Sequence, residues 1–480
     1  MSSVPNTKSE AAEGRSSTSY AGYYKRAIPA EDGALTHSGP GTALGEYLRC
    51  FWQPVCLAAQ LGRVPLPVRI MGEDLVVFRD KRGRVGILHR NCCHRGASLE
   101  YGVIQESGIR CCYHGIHYDI DGTILDVPAE RDRGKRRAQT LSQGAYPAIE
   151  RDGLIFAYMG PPDKRPPFPE YDAFDKSDDT RLMPFSNSFP CNWLQVLDNI
   201  ADQIHTSFLH NVPFLFGGKA PEDIDWEKFT LSNFATVPLM DYVEVRGGTA
   251  MSFIASRRVD DQKVWFRIQD CIVPNMTEHA YLYENGSQRR LFHRVHMARW
   301  YVPVDDTHSV IYGWRMFGRE IDPFQKGTES AVGLESMDFL GGQVGDRSYE
   351  EGQRLPGDWE AIKSQRPIAI HALENPVESD IGVYMFRKLL RDAISGRNPS
   401  ATPEAMNAPA HRGDPYYCYT QNDILELPRR PSEDEDRAMI KRVGRRIVQI
   451  TAEADGLAGA ERQRFIITGL EELERSAATL

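Results

Sequence analysis

Between residues 41 and about 165, apolar and polar positions alternate over short runs, the period-two pattern of half-buried strands. Strands are predicted at 68–70, 75–78, 85–89 and 154–159, with turn signals at Asp80-Lys81-Arg82-Gly83 and Asp119-Ile120-Asp121-Gly122. They follow a helical run, GTALGEYLRC, that passes into the aromatic stretch FWQPVC. A proline-rich segment, GPPDKRPPFPEY at 160–171, then breaks the pattern. Beyond it, strands rich in aromatic and β-branched residues are predicted at 230–256, 263–274, 290–304 and 309–317. Helices are predicted near 192–206, 379–395, 432–453 and 459–476. The polar, glycine-rich stretch 320–365 reads as a long, partly ordered excursion. Strands with segregated helices imply an α+β fold: a small all-β domain at 41–165, then a domain at 166–480 whose mostly antiparallel sheet is flanked by helices. Residues 1–40 are expected to form a disordered or extended N-terminal tail, because the Ser- and Thr-rich start of the chain has little apolar surface to bury.

Composition narrows the class. The chain has 480 residues, enough for two or three domains, and 41% hydrophobic residues supply their cores. A net charge of −9, with no basic cluster interleaved with aromatics, argues against nucleic acid as a partner. No run approaches the ~18 apolar residues of a membrane helix, and no apolar core near the N-terminus suggests a secretory signal. A cytoplasmic protein is expected. Nine cysteines, four of them packed into two loops, suit metal ligation in a reducing compartment better than a disulfide scaffold.

Those loops lie in Asn91–Tyr118, NCCHRGASLEYGVIQESGIRCCYHGIHY, where Cys92-x-His94 and Cys111-x-x-His114 are separated by 16 residues. Two thiolates with two imidazoles are the donor set of a Rieske [2Fe–2S] cluster. Both cysteines are doubled. A Cys-x-His step lets Cys92 and His94 converge, whereas Cys93 would point away. In the second loop, Cys111 and Cys112 remain alternatives on residue chemistry alone. A structural zinc is the competing use of the same donors.

A second cluster stands in CNWLQVLDNIADQIHTSFLHN. On a helix Asp202 and His205 are about 60° apart and share a face, but His205 and His210 are about 140° apart. For both histidines to reach one metal, the helix must end, kink or bulge between them. Two histidines and a carboxylate form the facial triad of non-haem iron(II) oxygenases.

The first stretch resembles the Rieske signature C-x-H-R-G…C-x-Y-H-G-W, through Cys92, His94, Arg95, Gly96, Cys111, Tyr113, His114 and Gly115, with Ile116 in place of the tryptophan. That resemblance selects Cys111. With D-x2-H-x4-H following, residues 40–395 resemble the terminal oxygenase alpha subunit of the Rieske non-haem iron aromatic ring-hydroxylating oxygenases. The runs GTALGEYLRCFWQPVCLA, GEDLVVFRD and YMGPP look phthalate 4,5-dioxygenase-like. The resemblance implies a Rieske domain at 41–165, ligated by Cys92, His94, Cys111 and His114, and a catalytic mononuclear iron domain at 166–480. It implies His205 and His210 as iron ligands, and Asp380, in ENPVESDIGVYMFRKLLRDAI, as the third, with Glu374 and Glu378 next in line. It also implies a flavin or iron–sulfur reductase drawing on NAD(P)H, O2 as co-substrate, and a small aromatic substrate that is hydroxylated or oxidatively demethylated. The implied assembly is a homotrimer or a hexamer of stacked trimers, with Asp202 bridging a cluster histidine, His114, to the neighbouring iron histidine, His205. An electron carrier without catalysis would need only the first domain, and a zinc-stabilised binding module would be colourless.

Overall fold

A computed structural model describes residues 28–130, 140–174, 179–217, 222–223 and 225–479. Residues 1–27, most of the expected tail, lie outside it. Part of the remainder is packed: Gly33–Thr36 forms a helical turn with Leu35 buried. Trp193 Nε1 donates to the Leu35 carbonyl at 3.2 Å, and Asn192 Nδ2 to that of Thr36 at 2.8 Å.

Three small antiparallel sheets form the first region. One joins Gln53–Leu57, Leu154–Ala157 and Ala148–Arg151, and a second runs Leu66–Ile70, Glu73–Arg79, Val85–His89 and Ala145–Tyr146. The third, Val103–Ile104, Ile109–Arg110, His117–Tyr118 and Ile124–Asp126, carries the second cysteine loop between its middle strands. The turn after Glu73–Arg79 forms as its sequence demands: Asp80 Oδ1 accepts from the amides of Arg82 and Arg84, and Gly83 takes φ +84°. Val76, Phe78, Leu88, Leu99, Ile109, Ile116, Tyr118 and Ile124 make a separate core beneath the cysteine loops. Ile116, at the place of the signature tryptophan, is part of that core.

The second region is built on one eight-stranded antiparallel sheet. Its order is Arg181–Phe189, His308–Phe317, Arg290–Asp305, Met276–Ala280, Lys263–Ile272, Ala250–Arg258 and Leu239–Val245. Gln421–Glu426 fills the other half of the gap between Lys263–Ile272 and Arg290–Asp305. Helix Glu433–Glu453 covers one face, where Gly444 lies against Ile254 and Phe266. The opposite face presents Arg257, Trp265, Arg267, Gln269, His279, Met297 and Arg299. Above it lie helix Trp193–Ala201 and the short turn Thr206–Leu209. The excursion 320–365 holds helices Tyr349–Arg354 and Asp358–Lys363. Three strands, Arg181–Phe189, Met276–Ala280 and Gln421–Glu426, escape the sequence pattern. The last begins Gln421-Asn422-Asp423, buried polar residues that only tertiary partners satisfy, among them Thr451, the Tyr281 carbonyl and the Phe292 amide.

Candidate metal centres

The two cysteine loops are closed by the same backbone bonds. The Cys92 amide donates to the Ala97 carbonyl at 2.9 Å and the Cys111 amide to that of Ile116 at 2.8 Å. The Gly96 amide returns to the Cys92 carbonyl and the Gly115 amide to that of Cys111. Both glycines hold a left-handed φ, +75° and +72°. This correspondence equates Cys111, not Cys112, with Cys92. Cys92 and Cys111 are buried, whereas Cys93 and Cys112 are exposed. The Cys92 and Cys111 side chains are buried in the same small core, and the rings of His94 and His114 face each other edge to face with centroids 4.6 Å apart. Sulfur donors therefore pair at the buried end and imidazoles at the outer end, the separation a binuclear cluster with one iron of each kind requires. The Tyr118 hydroxyl lies 2.9 Å from Cys92 Sγ.

The second centre forms where helix Trp193–Ala201 stops. Asp202 adopts an extended conformation, and its Oδ1 accepts from the Ile204 amide at 2.9 Å, an Asx turn that diverts the chain. A single helical turn, Thr206–Leu209, follows, flanked by His205 and His210. The interruption expected on angular grounds thus comes just before His205 and again at His210. The rings of the two histidines stand 5.4 Å apart at 75°.

The carboxylate that meets them is Asp358. His205 Nε2 lies 3.6 Å from Asp358 Oδ1 and His210 Nε2 3.3 Å from Oδ2. One donor atom from each of the three falls within 4.8 Å of the others, the arrangement a single metal ion needs. Gln343 Nε2 donates to Asp358 Oδ2 at 2.5 Å. Burial by itself would raise the Asp358 pKa, but the charge and hydrogen bond of His210, with His205 and Gln343, outweigh it and keep the carboxyl well below its ordinary range. His205 Nδ1 is bonded to the Asp202 backbone carbonyl. A carbonyl only accepts, so Nδ1 carries the proton and Nε2 is left for metal.

Asp380 does not join this group. It stands at the start of helix Ile381–Ile394, where its Oδ2 accepts from the Val377 amide at 2.8 Å. The helix N-terminus accounts for an acid at that position. Glu374 is engaged by Arg387 and Tyr384, and Glu378 is exposed. The Asp202 side chain is one-third exposed and opens, with His205 and Asp380, onto a cleft of about 590 Å³; its Oδ2 is 3.9 Å from His205 Nδ1. Asp358 lies in GDWEAIK, inside the polar excursion 320–365, where nothing in the local sequence sets it apart.

Residues 51–143 match the Rieske [2Fe-2S] domain family. Over 463 residues the chain is 46% identical to the tert-butanol monooxygenase / tert-amyl alcohol desaturase oxygenase subunit of Aquincola tertiaricarbonis, covering 96% of this chain and 97% of that one. It is 36% identical over 377 residues to the phenoxybenzoate dioxygenase subunit alpha of Ectopseudomonas oleovorans, with 76% and 85% covered. The fold is similar to that of NdmA from Pseudomonas putida CBB5, solved as a QL mutant with caffeine, at a TM-score of 0.51 and 20% identity over 75% of this chain and 95% of that one. The cofactors are a Rieske [2Fe–2S] cluster and a mononuclear non-haem iron, which when bound supply one-electron transfer and O2 activation. Among the described residues no helix is long and apolar enough to cross a membrane. The chain belongs to the Rieske non-haem iron oxygenases, as the oxygenase component of a multicomponent system.

Proposed function

We propose that Cys92, His94, Cys111 and His114 hold the cluster, that His205, His210 and Asp358 hold the mononuclear iron, and that a small organic substrate is oxidised in the space beside that triad. The convergence of the triad at one buried point carries the reading. The two relatives are named for a tertiary alcohol and an aromatic carboxylate, so the reading covers small organic substrates and is not confined to aromatic rings. Iron and sulfide analysis of the reconstituted chain tests it. Asp358→Ala is expected to drop the iron content from three to two per two sulfides, about one mononuclear iron lost, with the visible Rieske spectrum intact, while Asp380→Ala keeps all three. Loss of the third iron in Asp380→Ala and its retention in Asp358→Ala would reverse the assignment.

The assembly we propose is a homotrimer in which the exposed imidazole end of one subunit's cluster faces the cleft at Asp202 of the next. His94 is exposed and His114 partly so, and the Asp202 carboxylate is directed into an open cleft, which supports that pairing. Sedimentation of the same preparations is expected to give a trimer or a multiple of it; a monomer that turns over at full rate would exclude the arrangement. Reducing equivalents would come from a flavin or iron–sulfur reductase. A cytoplasmic location fits nine free cysteines, and cell fractionation checks it.

A further inference from the structure

The space beside the triad is small, about 50 Å³. Its sheet wall carries two arginines, Arg267 and Arg299, that are 3% and 5% exposed. A third, Arg257, is buried behind them on the same sheet face. The chain pairs its other enclosed guanidiniums with carboxylates: Arg315 with Asp338, Arg387 with Asp198, Arg258 with Asp436 and Arg462 with Asp172. Among the described residues these three have no such partner. Arg267 donates to Gln203 Oε1 at 2.7 Å and to the Ala280 carbonyl at 3.3 Å, and its Nε has no partner. Arg299 meets the Met297 sulfur at 3.4 Å and the Tyr301 side chain. Arg257 is held by the Thr236 carbonyl, the Thr206 hydroxyl and the rings of Phe234 and Trp265, so it is scaffold, but its charge adds to the others.

Buried charge without a counter-charge is costly, and a planar guanidinium is built to receive two oxygens side by side. The acid closest to the pair's cavity, Asp358, is already engaged by His205 and His210. We infer that the substrate is a compact carboxylate whose oxygens seat on Arg267 and Arg299, which leaves its carbon framework toward His205, His210 and Asp358. The inference rests on the oxygenase reading above and names the substrate class of the same site. The mutual repulsion of the arginines agrees with it: burial first, then the charges of Arg257 and Arg299, pull Arg267 down to about 9, a conflict that a bound anion relieves. The cavity volume limits the framework to a handful of carbons unless the Phe339–Gln343 wall moves.

Calorimetric binding to the anaerobic, fully reconstituted chain tests this with two molecules of one shape, pivalate and its neutral amide, pivalamide. Pivalate is expected to bind about tenfold or more tightly than pivalamide, and Arg299→Gln to abolish that preference while iron and sulfide contents stay unchanged. Arg299→Lys should restore part of it. Pivalamide or tert-butanol binding the wild-type chain as tightly as pivalate would overturn the inference, as would the absence of pivalate binding; neither outcome depends on a variant folding. Iron analysis and reductase-driven O2 uptake on the same sample separate the two levels. Three irons with uptake on a neutral compound and no preference for the anion defeat the carboxylate alone, whereas a missing third iron defeats the site assignment itself.

Discussion

Gly342 shows how much of the proposed iron site depends on a residue whose side chain has no donor atom. It holds φ +80°, its carbonyl accepts from the Trp359 amide at 2.9 Å, and a Cβ placed on it would meet Gly357 Cα at 2.7 Å. Gly357 in turn immediately precedes Asp358 at the start of helix Asp358–Lys363. The two glycines touch backbone to backbone, which brings the carboxylate up to the histidines. Gly342→Ala is therefore expected to cost about 1–2 kcal/mol from the left-handed backbone alone and to displace Asp358 as well. Its measurable signature is a lowered melting temperature together with an iron-to-sulfide ratio falling toward that of Asp358→Ala. Unchanged iron loading would show that the loop accommodates the methyl group elsewhere. Glycine in a polar stretch carries no mark of this role in the sequence, whereas the glycines after the cluster histidines, Gly96 and Gly115, are marked by the motif around them.

At the scale of elements, the strongest periodic signals were the ones realised. The helices near 379–395, 432–453 and 459–476 appear as Ile381–Ile394, Glu433–Glu453 and Gly459–Thr479. The helix near 192–206 stops early, at Ala201, because Asp202 satisfies the Ile204 amide with its own carboxylate and so releases the chain from the helical ladder. The angular mismatch between His205 and His210 signalled a break; which residues broke the helix was decided by that side chain. Helix Ile381–Ile394 poses the opposite ambiguity. An acid at a helix start satisfies a helix terminus and a metal equally well in sequence, and here Asp380 serves the first. The helix itself is tied to Trp193–Ala201 through Arg387, which donates to Asp198 at 2.6 Å and to Glu374 at 2.7 Å, so it braces the segment that leads into His205 and His210.

Across the whole molecule, Glu73 is a brace between the cluster-bearing sheets and the segment that packs on the catalytic region. It receives Arg49 at 3.0 Å and the Tyr146 hydroxyl at 2.6 Å, while Tyr47, on the same helix as Arg49, reaches the Ala401 carbonyl at 2.7 Å. Burial would raise its pKa, but hydrogen bonds from His89, Tyr146 and Arg49 and the Arg49 charge overcome that and hold it at about 2, against an ordinary value of 4.5. A depressed carboxyl gives its stabilisation above its unfolded pKa and loses it as pH falls through the folded one. The melting temperature of the wild type is thus expected to exceed that of Glu73→Gln above pH 4.5, with the gap closing between pH 4.5 and about 2. A gap constant across that window would mean the brace does not depend on the charge. The sequence by itself determined the α+β class, the two metal-bearing segments and their order, because thiolates, imidazoles and turn glycines at short spacing act locally and leave a local record. Only the tertiary structure brought Asp358 to the two histidines, formed the polar strand Gln421–Glu426, packed residues 33–36 and left Arg257, Arg267 and Arg299 without a carboxylate partner among the described residues. Each of these depends on a partner distant in the chain, and a contact between distant segments has no period or spacing in a single sequence.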